Sequence, residues 1–169
     1  MKKKYNVLLI GFGYWGPILA RNFQSSLNFN IFAICDSNIL NLKKAKNIYP
    51  NSITFQDYQK AIKNSKIDIV VISTPTNTHY KIAKFALANK KHIMCEKPLC
   101  LKTNEVKNLI ILSKRNKKYL FVDYPFIYGE SVNYIKKIIK EKKLGKPLIY
   151  ESIREKALFI TLLKSRIII

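Results

Sequence analysis

Short apolar runs, each ended by a glycine or a polar residue, alternate with longer segments whose apolar positions recur at helical spacing. "YNVLLI" (5–10), "NFNIFAICD" (28–36), "SITF" (52–55), "KIDIVVIS" (66–73), "KHIMCE" (91–96) and "YLFVD" (119–123) read as strands. The run "IVVI" is β-branched and apolar throughout, the pattern of a central strand buried on both faces. Between the strands, residues 14–26 read as a helix. "NILNLKKAKNIY" has an inward stripe of Ile39, Leu42, Ala45 and Ile48. "QDYQKAIKN" is a short helix with Asp57 near its start, and "YKIAKFALANK" turns Ile82, Ala83, Ala86 and Leu87 inward. "NEVKNLIILSKRN" carries Val106, Leu109, Ile110 and Leu112, with Thr103 able to cap it. "TPTNTH" (74–79) and "KPLC" (97–100) read as a loop and a turn.

Strands alternating with helices predict an α/β fold, a doubly wound parallel sheet of Rossmann type. After Asp123 the rhythm changes. "YPFIYGES" is loop-like, and "VNYIKKIIKEKKLG" is an amphipathic helix with Gly145 as its stop. "KPLIYESIRE" starts like a strand of something new, and "KALFITLLKSRIII" reads as an apolar end. The expected organisation is therefore residues 1–123 as one domain and 124–169 as the incomplete start of a second α/β domain.

Composition changes this picture little. Lys and Arg number 31 against 10 Asp and Glu in 169 residues, a net charge of +21. The basic residues are mostly lysines scattered over several elements, without the arginine forks and interleaved aromatics of a specific nucleic-acid site. No apolar run approaches the length of a membrane span, and "MKKKYNVLLIG" is too short for a signal peptide. Three unevenly spaced cysteines make no disulfide framework, so a reduced, cytoplasmic setting is expected. His92, Cys95 and Cys100 fit no metal-ligand spacing, and no metal site is expected.

Chemistry enters at "GFGYWG". It follows a strand and opens a helix, as a dinucleotide-binding loop requires. Gly11 permits a tight turn, Gly13 lets a pyrophosphate approach the backbone, and Gly16 lets helix and strand pack closely. Phe12, Tyr14 and Trp15 fill the variable positions. The free N–H groups of the helix start favour phosphate, and Pro17 suits a first turn. Asp36 ends the second strand, where a carboxylate accepts from both ribose hydroxyls and repels a 2′-phosphate. Ser37 offers that phosphate no positive partner, so NAD is favoured over NADP, although Lys43 and Lys44 lie nearby. Lys97, after Glu96 and before Pro98, sits where a strand leaves the sheet. It reads equally as an acid/base facing bound nicotinamide or as a surface lysine in a turn.

Together, "GFGYWGP", "CDSN", "VVISTPTNTHYKIAKFALANKKHIMCEKPL" and "VDYPFIYGESVNYIKKII" resemble the Gfo/Idh/MocA oxidoreductase family from about residue 4 to about residue 153. The resemblance implies a Rossmann domain followed by an α/β domain that binds substrate and often builds a homo-oligomer. It implies hydride transfer between NAD(P) and a hydroxyl carbon of a sugar, inositol or nucleotide-sugar. It places Thr74, Pro75, Asn77 and His79 in the cofactor-lining loop, and Glu96 and Lys97 beside the nicotinamide, Lys97 being the catalytic candidate. Tyr124 and Pro125 depart from the His-Thr often found there. The family's length is roughly twice this chain's, and "EKALFITLLKSRIII" no longer resembles it. That segment reads as a prematurely ended frame, leaving a cofactor-binding remnant as the alternative to an active enzyme.

Overall fold

The computed structural model describes residues 4–143, 145–156 and 161–168. Six strands form one parallel sheet: β1 (Tyr5–Ile10), β2 (Phe29–Cys35), β3 (Ile53–Phe55), β4 (Ile69–Ile72), β5 (His92–Glu96) and β6 (Leu120–Asp123), in the order β3-β2-β1-β4-β5-β6. Helices α1 (Gly16–Ser25), α2 (Ile39–Ile48), α3 (Tyr58–Ile62), α4 (Thr76–Ala88) and α5 (Thr103–Arg115) connect them. This is the doubly wound α/β architecture expected from the alternation.

The strands show why both faces must be covered. Val7 and Leu9 of β1 enter one apolar cluster with Val71, with Leu19 and Ala20 of α1, and with Leu42 and Ala45 of α2. Leu8 and Ile10 enter the other, with Val70 and Ile72 of β4 and residues of α3, α4 and α5. Successive side chains point to opposite faces, so a strand apolar throughout needs a helix layer on each side. The alternation slips once, where the β1–β2 register shifts between Val7 and Leu8. Ala33 then follows Phe32 into the same cluster. Leu8, Leu9 and Ile34 are fully buried, and each such side chain contributes about 1.5–3 kcal/mol.

Two of the five helices of the sheet begin on a side-chain cap. Asn38 and Asp57 cap α2 and α3 by accepting from the backbone N–H two residues on. The expected inward residues of α4 are all buried. Three expectations need correction. Ile39 and Ile48 of α2 are 50% and 58% exposed, because a helix this short lays only Leu42 and Ala45 against the sheet. Ile110 of α5 likewise faces outward, while Leu109 is buried and Val106 and Leu112 pack partly. Thr103 does not cap α5: it is the first helical residue, and Lys102 stands at the cap with no side-chain bond.

By compactness the chain divides into Met1–Asp123 and Tyr124–Ile169. In the second unit, "YPFIYGES" is not all loop: Pro125–Tyr128 is a 3-10 turn, followed by α6 (Glu130–Lys140). The helix ends before the expected stop: Glu141 is its cap and Lys142, at φ +53°, takes the left-handed position after it, while Gly145, at φ +69°, turns the chain further on. The tail also departs from expectation. β7 (Ile149–Lys156) pairs antiparallel with β8 (Thr161–Ile168), Ile149 opposite Ile168, so the apolar run extends a two-stranded ladder. Residues 157–160 of that run lie outside the described residues.

Candidate functional site

The sheet order reverses beside β1: the chain leaves it toward β2 on one side and returns to β4 on the other. Crevices at such points, beyond the carboxyl ends of strands, hold ligands. A cleft of about 610 Å³ opens here. Gly11, Gly13, Asp36, Ser37, Thr74, Pro75 and Asn77 line it, all residues expected from the sequence.

The glycine loop is built by sterics. Gly11 has φ +94°, and a Cβ there would lie 2.7 Å from the Ser73 carbonyl oxygen. A Cβ on Gly16 would collide with the Gly11 carbonyl oxygen. These two glycines let β1, α1 and the end of β4 meet. Gly13 differs: beyond its own chain neighbours no atom lies within 4 Å of the place its Cβ would occupy, and the residue is exposed. The start of α1 carries no side-chain cap and no acidic residue in its first turn. Its leading N–H groups and positive dipole end remain available to an anion.

Asp36 sits opposite the loop as an organised acceptor. Phe12 N donates to its Oδ2 at 2.6 Å, Asn38 N to its Oδ1 at 2.8 Å, and Asn41 Nδ2 to its Oδ2 at 3.1 Å. The carboxylate is thus fixed in orientation while keeping lone-pair capacity for further donors. Phe12 takes part through its backbone alone: its ring is buried and stands edge-on to Tyr49 at 6.3 Å. Tyr14 and Trp15 form an exposed edge-on pair at the loop crest, 5.4 Å between centroids.

The second loop begins at Ser73, whose Oγ donates to the Gly11 carbonyl at 2.7 Å. The Thr74 and Thr78 hydroxyls meet at 2.7 Å, and Thr78 Oγ1 donates to Pro75 O at 2.7 Å. His79 is buried, with ring nitrogens 2.8 Å from Thr74 O and 3.0 Å from Pro98 O. Glu96 and Lys97 follow at the end of β5, outside the lining of the cleft. Lys97 is exposed, and its N–H reaches Glu96 Oε2 at 3.3 Å. Burial raises the Glu96 carboxyl above its ordinary range, and Asp123, its register partner on β6, raises it further. The backbone N–H and charge of Lys97, and the charge of His79, work the other way.

Burial pushes the thiols of Cys35 and Cys95 up to about 12 and that of Cys100 to about 11, so none is a ready nucleophile. Among the described residues no group of three or more His, Cys, Asp or Glu could hold a metal ion, and no helix is long and apolar enough to cross a membrane.

Ser73, Asn41, Gln56, Tyr58, Thr78 and Lys81 also line the cleft and were not singled out by sequence. Ser73 is within reach of sequence reasoning, since it directly follows β4 and precedes the expected loop residue Thr74. Asn41, three residues into α2, shows its role only once the register of Asp36 is known. Tyr58 carries a buried hydroxyl without a hydrogen-bond partner. Open space at Gly13, an oriented carboxylate and this orphaned hydroxyl together fit a ligand with an anionic centre and polar groups.

Comparison with known proteins bears on what that ligand is. Residues 5–124 match the oxidoreductase family with an NAD-binding Rossmann fold, Gfo/Idh/MocA. Myo-inositol 2-dehydrogenase of Thermotoga maritima is 27% identical over 82% of this chain and 42% of its own length. The crystal structure of myo-inositol 2-dehydrogenase from Lactobacillus plantarum superposes with TM-score 0.81 at 27% identity, covering 90% of this chain and 45% of that one. The scyllo-inositol dehydrogenase of Lactobacillus casei, solved with NAD(H) and scyllo-inositol, shares the fold at TM-score 0.82 and 22% identity, covering 90% of this chain and 45% of that one. The chain spans less than half the length of these relatives. With most of its length inside the family match, this chain belongs to the Gfo/Idh/MocA oxidoreductases with the NAD-binding Rossmann fold.

Proposed function

We propose that the cleft holds NAD(H) and that the chain serves hydride transfer at a hydroxyl-bearing carbon of a small polyhydroxylated substrate. The observation that carries the reading is the pairing of Asp36 with the open Gly13 across one cleft. Gly13 and the N–H groups opening α1 would take the pyrophosphate, and Asp36 Oδ1 and Oδ2 the ribose hydroxyls. A 2′-phosphate would meet that carboxylate, which favours NAD over NADP. When bound, NAD supplies the hydride acceptor.

The chain's own residues hold, orient and move the proton. Thr74, Pro75 and Asn77 would line the nicotinamide side. Lys97, exposed at the end of β5, would take the substrate hydroxyl proton at Nζ in one direction and return it in the other. Glu96 would set the electrostatic surroundings of that lysine. The substrate class rests on relatives whose activity is on inositols, which supports a cyclic polyol over the nucleotide-sugar also expected from sequence. Residues 124–169 would begin the substrate domain and the oligomer contacts. Three free cysteines support a reducing, cytoplasmic setting.

Titration of the chain with NADH, followed by a dehydrogenase assay on inositols and UDP-sugars, tests the reading. Saturable NADH binding with inositol turnover is expected. Binding without turnover would leave the chain a cofactor-binding module, and absence of binding would overturn the proposal.

A further inference from the structure

We propose that His79 is a positioning residue that pins the turn bearing Glu96 and Lys97 to the loop lining the cofactor cleft. The functional meaning of this pin rests on the NAD reading above; the pin itself does not.

His79 lies in the first turn of α4 and is 1% exposed. Its Nε2 stands 2.8 Å from Thr74 O, five residues back, and its Nδ1 3.0 Å from Pro98 O, nineteen residues on. Both partners are carbonyl oxygens, which only accept, so the ring donates at whichever nitrogen carries a proton: at Nδ1 to Pro98 O, at Nε2 to Thr74 O, and at both only as an imidazolium. A buried ring flanked at both nitrogens by acceptors is confined in orientation whichever nitrogen donates. An apolar residue would fill this position without the desolvation that a buried imidazole costs. The ring is therefore better read as a bridge than as core packing.

The bridge joins segments of unequal stiffness. The Thr74 side is already held by the Thr74–Thr78 hydroxyl pair and by the bond from Thr78 to Pro75 O. On the other side, Lys97 is exposed and its N–H reaches only the neighbouring Glu96 carboxylate, at a long 3.3 Å. Leu99 anchors this turn by packing into the core, which sets its depth. Packing is non-directional. The bond from His79 to Pro98 O gives the turn a directional contact, and with it the orientation in which Lys97 leaves the sheet.

The test uses the whole chain with His79→Leu and His79→Ala, read by amide NMR and hydrogen exchange. In His79→Leu, the resonances of Glu96, Lys97 and Leu99 should shift, and exchange around the turn should quicken about tenfold, the factor carried by one or two modest hydrogen bonds. Gly13 and Asp36 should stay in place. If His79→Leu does not fold, His79→Ala carries the same readout. Added imidazole should restore the wild-type shifts of Lys97 in that variant, and benzene should not. An unmoved Lys97 resonance, or equal rescue by benzene, would overturn the proposal, since shape alone would then suffice. These readouts do not depend on cofactor. A separate titration with NADH and with ADP-ribose, followed by Trp15 emission, should show a loss of about tenfold for NADH only. A wild-type chain that binds neither would sink the NAD reading and leave the pin to be judged by the NMR alone.

Discussion

Gly11 and Gly13 belong to one motif but carry different physics, and alanine at each separates fold from ligand. At Gly11 the backbone sits at φ +94°, which costs an L-residue about 1–2 kcal/mol. The added Cβ would also lie 2.7 Å from Ser73 O, 2.8 Å from Ser73 C and 2.9 Å from Thr74 N. All three are backbone atoms of a loop held by hydrogen bonds, so relief requires the chain to move, at about 1–3 kcal/mol. The sum is about 2–5 kcal/mol, a large part of the roughly 5–15 kcal/mol that holds a domain together. At about 2–4 °C per kcal/mol, Gly11→Ala should melt roughly 5–20 °C early. At Gly13 the backbone is outside the left-handed range and nothing beyond its chain neighbours lies within 4 Å of the new methyl. Gly13→Ala should therefore change stability by less than about 0.5 kcal/mol. The methyl would instead occupy the space a pyrophosphate needs, and losing one charge-assisted bond at about 1.5–3 kcal/mol weakens NADH roughly tenfold or more. The assay is a thermal melt by circular dichroism paired with NADH titration through Trp15, the single tryptophan. A Gly13→Ala chain that binds NADH like its parent would refute the cradle. A Gly11→Ala chain that melts with its parent would refute the steric argument.

Asp36→Ala should strand Phe12 N–H and Asn38 N–H, cost about 1–3 kcal/mol in a denaturant melt, and narrow the preference for NADH over NADPH. Cys35, Cys95 and Cys100 should react with a thiol reagent in mildly alkaline buffer only after unfolding, since their folded thiols stay protonated. The Glu96 carboxyl is raised by burial and by Asp123, so between its ordinary and its raised value the folded state holds a proton the unfolded state has lost. Stability due to this group is full below that window and falls as pH rises through it. Glu96→Gln should flatten the decline, read from urea midpoints in acid and neutral buffer.

The fold was legible because its signals are local. An apolar strand that must be covered on both faces announces itself in four to six residues, as in "IVVI" and "YNVLLI". The misread inward positions depend on how far a helix turns its stripe. Ile39 and Ile48 stand at the two ends of a ten-residue helix that buries only Leu42 and Ala45, and Ile110, beside buried Leu109 in mid-helix, falls just off the packed stripe. The site divides the same way. Three glycines and Asp36 were readable because each answers a backbone or charge requirement within one βαβ unit. Ser73 meets Gly11 across 62 positions of sequence, and His79 meets Pro98 across 19. Such partners are set by strand order, which no local pattern states.

Strand order also explains why the seam needs these particular contacts. At β1 the chain turns away into α1, and at β4 into α4, and the two connections diverge. The strand ends between them are left without a covering helix, which is what opens the cleft. A gap there has to be closed by backbone, because side chains large enough to fill it would fill the binding space as well. Gly11 meets that condition by presenting no Cβ to Ser73. Ser73 meets it by spending its hydroxyl on the Gly11 carbonyl rather than on a ligand. The Ser73 N–H bonds Ile10 O at 2.9 Å, and Gly11 N–H bonds Cys35 O at 2.8 Å, so β2, β1 and β4 are stitched at their ends by main chain. The cleft is thus rigid at its floor and open at Gly13, and that combination lets a small loop orient a large, charged ligand.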